Sequence, residues 1–337
     1  MASADHWQKL FQAYHEQGVV LALGAGLSIG CKIPGWEELL ARLASRCLGA
    51  KGGQTFQMLL NSGYSFQAIT SILKASCHEP DGFNDLVREE LYRDFPFFPQ
   101  GAADRQADFV QYVQQQSPTL RSIATLCATR RGDAFACNRR IHAAMNFNLD
   151  CILRAYDMLR FGGRVFRTIE RASAEPAPDR INLYQVHGYL VFNSDQFNDA
   201  TTETTRLTIT EHEYYDFFNS TTGLFTYTFL FLLREYPCLF LGMSMRDDNV
   251  RRLLHYSTKE RILGDLEEGR SREEAQARSV RHFAMLRRSD STEVDELTER
   301  SLASLGAAPL WLDDYDEIPA RLAELYAAGG EEWGDVW

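Results

Sequence analysis

The sequence predicts an α/β fold, a doubly wound and mostly parallel sheet with a helical insertion, and two observations carry that prediction. Seven short apolar or β-branched runs recur along the chain, separated by segments with helical spacing. Four of those runs end directly in a glycine-rich or polar cluster, which is where open parallel sheets present their ligands.

The runs are Val19 to Leu23, Ala143 to Phe147, Val165 to Ile169, Leu183 to Val186, Cys238 to Leu241, Phe283 to Leu286 and Pro309 to Leu312. Trp36, Leu39, Leu40 and Leu43 fall on one helical face just after Pro34, whose fixed φ suits a first helical turn. Ile152, Tyr156 and Leu159 repeat the pattern after the second run. About 120 residues separate the first two runs, far more than one crossover helix requires. They include the helix-like stretches Phe56 to Leu60, Ser65 to Ala75 and Phe83 to Tyr92. The economical reading is a helical insertion over residues 50–120 in a domain built from 1–49 and 121–337. Phe95-Pro96-Phe97-Phe98-Pro99 reads as a packed loop, and Ser257 to Arg281, strongly charged, as a solvated helix. Gly223 to Leu233 is the most apolar stretch, but Arg234 and Glu235 follow at once. It falls short of the roughly 20 residues a membrane span needs and reads as a buried helix.

Composition narrows the function classes. With 337 residues, 45% hydrophobic and 24% charged, the chain belongs with ordinary globular proteins rather than disordered or fibrous ones. The formal charge is −11 and the basic residues are dispersed, so direct nucleic-acid binding is not expected. The cysteines at 31, 47, 77, 127, 137, 151 and 238 form no CxxC pair and no signal peptide precedes them, so reduced thiols and a cytoplasmic location are expected.

Gly24-Ala25-Gly26-Leu27-Ser28 follows the first run, where glycines let backbone N–H groups approach a pyrophosphate and Ser28 adds a hydroxyl. A structural turn explains such a motif equally well. As a Rossmann-like fingerprint it is incomplete: Ile29 stands where a third glycine belongs and Pro34 delays the helix, which disfavours hydride transfer. Asn148 and Asp150 end the second run, Asp150 being equally readable as a helix cap. His187-Gly188 ends the fourth, its imidazole a candidate general base. Gly242-Met243-Ser244 ends the fifth and suits a ribose or phosphate, while Asp247 and Asn249 read more readily as caps of the next helix.

In this order the clusters resemble the sirtuin superfamily, and within it the bacterial sirtuin-like domains of antiviral defence. The matching pieces are Gly24 to Ser28 with Pro34-Gly35-Trp36, Phe147-Asn148-Leu149-Asp150, Val186-His187-Gly188, and Gly242-Met243-Ser244 with Asp247. Ile209-Thr210-Glu211-His212-Glu213-Tyr214 is similar to a Leu-Thr-x-x-x-Tyr pattern of that family, and Leu305-Gly306 to Trp311 with Asp313-Asp314-Tyr315 is similar to its closing segment. The resemblance implies a sirtuin-like NAD-binding sheet that cleaves the nicotinamide-ribose bond, with Asn148 and His187 as the catalytic pair. It also implies that Gly24, Ala25, Gly26, Ser28, Trp36, Asp150, Gly242, Ser244 and Asp247 hold the cofactor. Deacylating sirtuins carry a zinc ribbon of two CxxC pairs and a Pro-Asp-Phe-Arg sequence. Here no such pair exists and Pro34-Gly35-Trp36-Glu37 stands instead, so zinc is not expected. By the same analogy the protein depletes cellular NAD on phage infection, under control of homo-oligomerisation or a separately encoded partner. An NAD or ADP-ribose sensor without catalysis, or a divergent NAD-dependent protein deacylase, are the alternatives.

Overall fold

The computed structural model describes residues 2–77, 82–98, 105–171, 173–192, 207–219 and 223–328. β1 (Val19–Leu23) is five consecutive buried apolar residues, as a strand covered on both faces requires. Its side chains alternate between two separate cores, Val19, Leu21 and Leu23 on one face and Val20 and Ala22 on the other. The same division runs through β4 (Ile141–Asn146), β7 (Cys238–Leu241), β8 (His282–Arg287) and β9 (Ala307–Leu312). With β5 (Phe166–Ile169) and β6 (Ile181–Gln185) they form a seven-stranded sheet of order β5-β6-β4-β1-β7-β8-β9. Every pairing in it is parallel. Each apolar run expected from the sequence is therefore a strand of one doubly wound, Rossmann-like sheet. A separate antiparallel hairpin, β2 (Ala128–Arg131) with β3 (Ala134–Cys137), turns at Gly132 and was not foreseen.

From β1 the chain passes to β4, out to the edge strand β5 and back to β6, then crosses to β7, β8 and β9 on the other side. Strand order thus reverses beside β1, and the loops leaving β1, β4, β6 and β7 share the carboxyl edge at that point.

Helices α1 (Ala2–Glu16), α2 (Trp36–Leu48), α7 (Pro118–Cys127), α8 (Ile152–Phe161) and α14 (Ile318–Ala328) cover the first face. Between α2 and α7 lie α3 (Gly52–Asn61), α4 (Phe66–Ser76), α5 (Phe83–Tyr92) and α6 (Gln106–Gln116). Their residues Phe56, Ile69, Val87 and Phe109 join the same core. The loop after α5 is packed as expected, with Phe95 5.1 Å from Phe192 and Phe97 5.2 Å from Phe109; Pro99 lies outside the described residues.

The second face is covered by α10 (Leu224–Glu235), α11 (Asp248–Glu267) and α13 (Thr292–Ala303). The expectation that the apolar Gly223 to Leu233 stretch is a buried helix needs correction. α10 buries Thr226, Phe229, Leu232 and Leu233, but Tyr227 is 66% and Phe231 50% exposed, because the helix packs against sheet and α11 on one side only. The charged Ser257 to Arg281 stretch is the end of α11 plus a separate α12 (Arg272–Ser279), broken at Gly269, which takes a positive φ. Pro34 stands outside α2, which starts at Trp36 with Gly35 as its cap.

The expectation of reduced thiols throughout also changes. The end of α2 and the cap of α4 bring the Cα atoms of Cys47 and Cys77 to 4.8 Å, and the two are joined in a disulfide. The other five cysteines are free and buried. Among the described residues no helix is long and apolar enough to cross a membrane.

Candidate functional site

β4 and β6 are neighbours, with Asn146 opposite Gln185. Two residues beyond each stand Asn148 and His187, so the two follow adjacent parallel strands by the same interval. The strand ends are fixed by a buried amide pair, Asn146 Nδ2 donating to Gln185 Oε1 at 2.8 Å, while Asn146 Oδ1 accepts the Asn148 N–H at 3.3 Å. The two loops also bond each other, Leu190 N–H to the Leu149 carbonyl at 2.7 Å, and the Phe147 ring meets the His187 ring edge-on at 5.6 Å. Asn148 is 5% and His187 3% exposed. Asn148 Oδ1 is buried and has no hydrogen-bond partner among the described residues. A buried polar atom left so is costly, and in a native structure it points to something that pairs with it.

Gly24 to Ser28 leave β1 as a 3-10 turn, Ala25–Leu27, followed by a second, Ile29–Cys31. The N–H groups of Gly24 and Gly26 donate to the carbonyls of Leu241 and Gly242, so this loop is sewn to the one leaving β7. A Cβ on Gly24 would stand 2.5 Å from Gly242 O, and one on Gly26 2.9 Å from Gly242 Cα. The close approach these glycines permit is, in the first place, that of two loops. Gly242 has φ +66°, which favours glycine. Ser28 is buried beside Asp150; Trp36 is half-buried at the start of α2, and Ser244 is exposed.

Asp150 does act as a cap, its Oδ1 accepting the Ile152 N–H at 3.0 Å. Burial pushes its carboxyl up, opposed by that N–H and by the Ser28 hydroxyl. Asp247 likewise caps α11, Oδ1 accepting the Val250 N–H at 3.0 Å, but its other oxygen faces the site. There it accepts the Tyr214 hydroxyl at 3.0 Å, and Tyr214 Oη lies 3.2 Å from His187 Nε2 with the two rings stacked at 5.3 Å. Burial holds the His187 imidazole below its ordinary value and the Asp247 charge partly offsets this, which leaves His187 neutral near pH 7 and able to accept a proton.

Tyr214, on α9 (Glu211–Asn219), belongs to the Ile209 to Tyr214 motif, which by itself assigns it no role in the site. Two others carried no sequence signal. Tyr92 of α5 accepts the Cys151 N–H at 2.9 Å and donates to the Leu190 carbonyl at 2.6 Å, clamping the loops of Asn148 and His187 together. Ser117, capping α7, donates to the Leu27 carbonyl at 2.8 Å and holds the glycine-rich turn.

A cavity of about 280 Å³ opens at the end of β5, lined by Arg154, Arg167, Glu170, Arg171, Glu175 and Tyr189 among others. It sits at the low end of ligand pockets and is too small for a dinucleotide. Among the described residues no group of three or more His, Cys, Asp or Glu is arranged to hold a metal ion.

No curated protein matches the chain. Residues 143–310, which span the loops of Asn148, His187, Tyr214 and Asp247 but not the glycine-rich turn, match the SIR2-like domain family, and that match supports a sirtuin-like protein with an NAD-related function.

Proposed function

We propose that this chain is an NAD glycohydrolase that cleaves the nicotinamide-ribose bond, and that it serves as an effector of antiphage defence by depleting cellular NAD. The observation that carries the reading is Asn148. Its side-chain oxygen is buried without a partner among the described residues, on the loop bonded to that of a neutral, buried His187. A dinucleotide with ribose hydroxyls fits such an acceptor, and the turns at Gly24, Ala25, Gly26 and Gly242, bonded to each other through the Gly24 and Gly26 N–H groups, border it at the same sheet edge and are assigned its pyrophosphate by the resemblance. Ser28, Trp36, Asp150, Ser244 and Asp247 complete the binding rim in this reading.

The reaction consumes NAD and water and yields nicotinamide, ADP-ribose and a proton. Nicotinamide leaves as a neutral base from a cationic substrate, so the site needs no strong general acid. It needs an amide, Asn148, to orient water or a ribose hydroxyl, and a base, His187, to take the proton. An activity so destructive calls for control, and assembly of this chain or a separately encoded partner supplies it in this proposal.

Nicotinamide release from NAD by the purified protein is the test. Asn148→Ala and His187→Ala are each expected to lower the rate by about 100-fold or more. Undiminished release in both variants overturns the catalytic assignment. Saturable NAD binding with no release by the unaltered chain, whether alone, assembled or partner-bound, supports the sensing alternative.

A further inference from the structure

The Tyr214 hydroxyl is hydrogen-bonded by two side chains from two different elements. It donates to Asp247 at the start of α11, and it meets His187 after β6. Gln67 of α4 is a polar neighbour of the same ring and favours its ionised form. A phenol has one proton and two lone pairs. A carboxylate only accepts, so the proton goes to Asp247, and the contact with His187 is an N–H from Nε2 to a phenol lone pair. An imidazole that donates through Nε2 and is neutral keeps its lone pair on Nδ1.

We propose that Tyr214 is a positioning residue of the site, holding His187 in the Nε2–H tautomer so that Nδ1 is its basic nitrogen, with α4 keeping the helix that carries Tyr214 in place. The role of Nδ1 as base rests on the function proposed above; the tautomer does not. α9, which carries Tyr214, is fixed to α4 at two points. Ser71 Oγ accepts the Glu211 N–H at 2.9 Å, and Lys74 pairs with Glu213 at 3.3 Å. The helices between residues 50 and 120 thereby gain a task, since one of them holds the helix whose tyrosine orients His187.

Tyr214→Phe keeps the stacked ring and deletes only the hydroxyl; Gln67→Ala removes a polar neighbour of Tyr214 outside the loops of Asn148 and His187. Nitrogen NMR of the histidine rings at neutral pH, with His187 assigned by its absence in His187→Ala, reads the tautomer without any turnover. The unaltered chain is expected to show Nε2–H alone and Tyr214→Phe a mixture of both forms. In nicotinamide release, Tyr214→Phe should lower kcat about 10- to 100-fold with KM changed less than about threefold, and Gln67→Ala should lower kcat by a smaller factor in the same direction. A pure Nδ1–H form in the unaltered chain, or an unchanged tautomer and kcat in Tyr214→Phe, overturns the proposal. A tautomer that shifts in Tyr214→Phe while the unaltered chain releases no nicotinamide in any state of assembly or with any partner bound upholds the positioning role and refutes the hydrolase reading.

Discussion

His187 and His282 are both buried, and burial holds both imidazoles below their ordinary value, yet they stand at opposite edges of one sheet. His282 opens β8 at the amino edge, its Nδ1 accepting the Cys238 N–H at 3.2 Å from the neighbouring strand. Burial and the charges of Arg281 and Arg261 push it down to about 3. His187 follows β6 at the carboxyl edge, and its neighbours are side chains, Tyr214 from α9 and Asp247 from the loop after β7. Burial and a depressed pKa therefore do not distinguish a structural histidine from a candidate base. The partners do: a backbone group fixed by strand pairing in one case, side chains delivered by separate elements and able to respond to a ligand in the other.

The largest contrast is expected from removing each ring. His187→Ala should abolish most nicotinamide release per folded molecule, beside whatever its own cavity costs in stability. His282→Ala should leave the Cys238 N–H unsatisfied beside a cavity at a cost of about 2–4 kcal/mol. Activity per folded molecule should survive in that variant. A His282 variant that is stable but inactive would erase the distinction between the edges.

The two ends of β1 allow the same comparison with glycines. Gly18, before the strand, has φ +74°, and an added Cβ would lie 2.6 Å from the Arg140 carbonyl. Gly18→Ala should cost about 1–3 kcal/mol of stability by strain and overpacking, without changing NAD affinity in the folded fraction. Gly24, after the strand, would set its Cβ 2.5 Å from Gly242 O and Met243 Cγ. Gly24→Ala should push the β7 loop aside and weaken NAD binding about tenfold, or about 1.4 kcal/mol, as read by calorimetry. Equal effects on binding from both substitutions would mean that the glycine-rich turn matters only for folding.

The sheet was legible because a buried parallel strand has to be apolar on both faces, so runs such as Val19 to Leu23 and Cys238 to Leu241 leave few other readings. The placement of Asn148 and His187 was legible for a related reason: polar residues directly after such runs fall on the carboxyl edge whatever the crossovers do. What could not be read is what depends on distant chain segments. Tyr92 reaches Cys151 and Leu190, and Ser117 reaches Leu27, contacts with no local pattern in the sequence. The exposed flank of α10 has no signature in the sequence because Tyr227 and Phe231 are as apolar as the buried residues between them, and only the packing reveals which side faces outward. For Asp150 and Asp247 the sequence allows a cap or a site residue; both cap, and Asp247 also meets Tyr214, because a carboxylate has oxygens enough for both.

The smallest effect separates the two histidines by charge. His282 falls from the ordinary 6.5 to about 3 in the folded chain. Below 6.5 the unfolded chain takes up a proton that folded His282 refuses. Its contribution to stability is therefore fully present above that pH and is lost as pH falls toward 3, at roughly 1.4 kcal/mol per pH unit. Unfolding by urea at a series of pH values between 4 and 7 should show this slope in the unaltered chain and its loss in His282→Gln. The corresponding slope removed by His187→Gln should be shallower. An imidazolium at His187 has Asp247 to offset its charge, whereas one at His282 would face Arg281 and Arg261. Equal slopes would mean that the carboxylate of Asp247 does not reach His187 through Tyr214, and the difference between the two edges would reduce to burial alone.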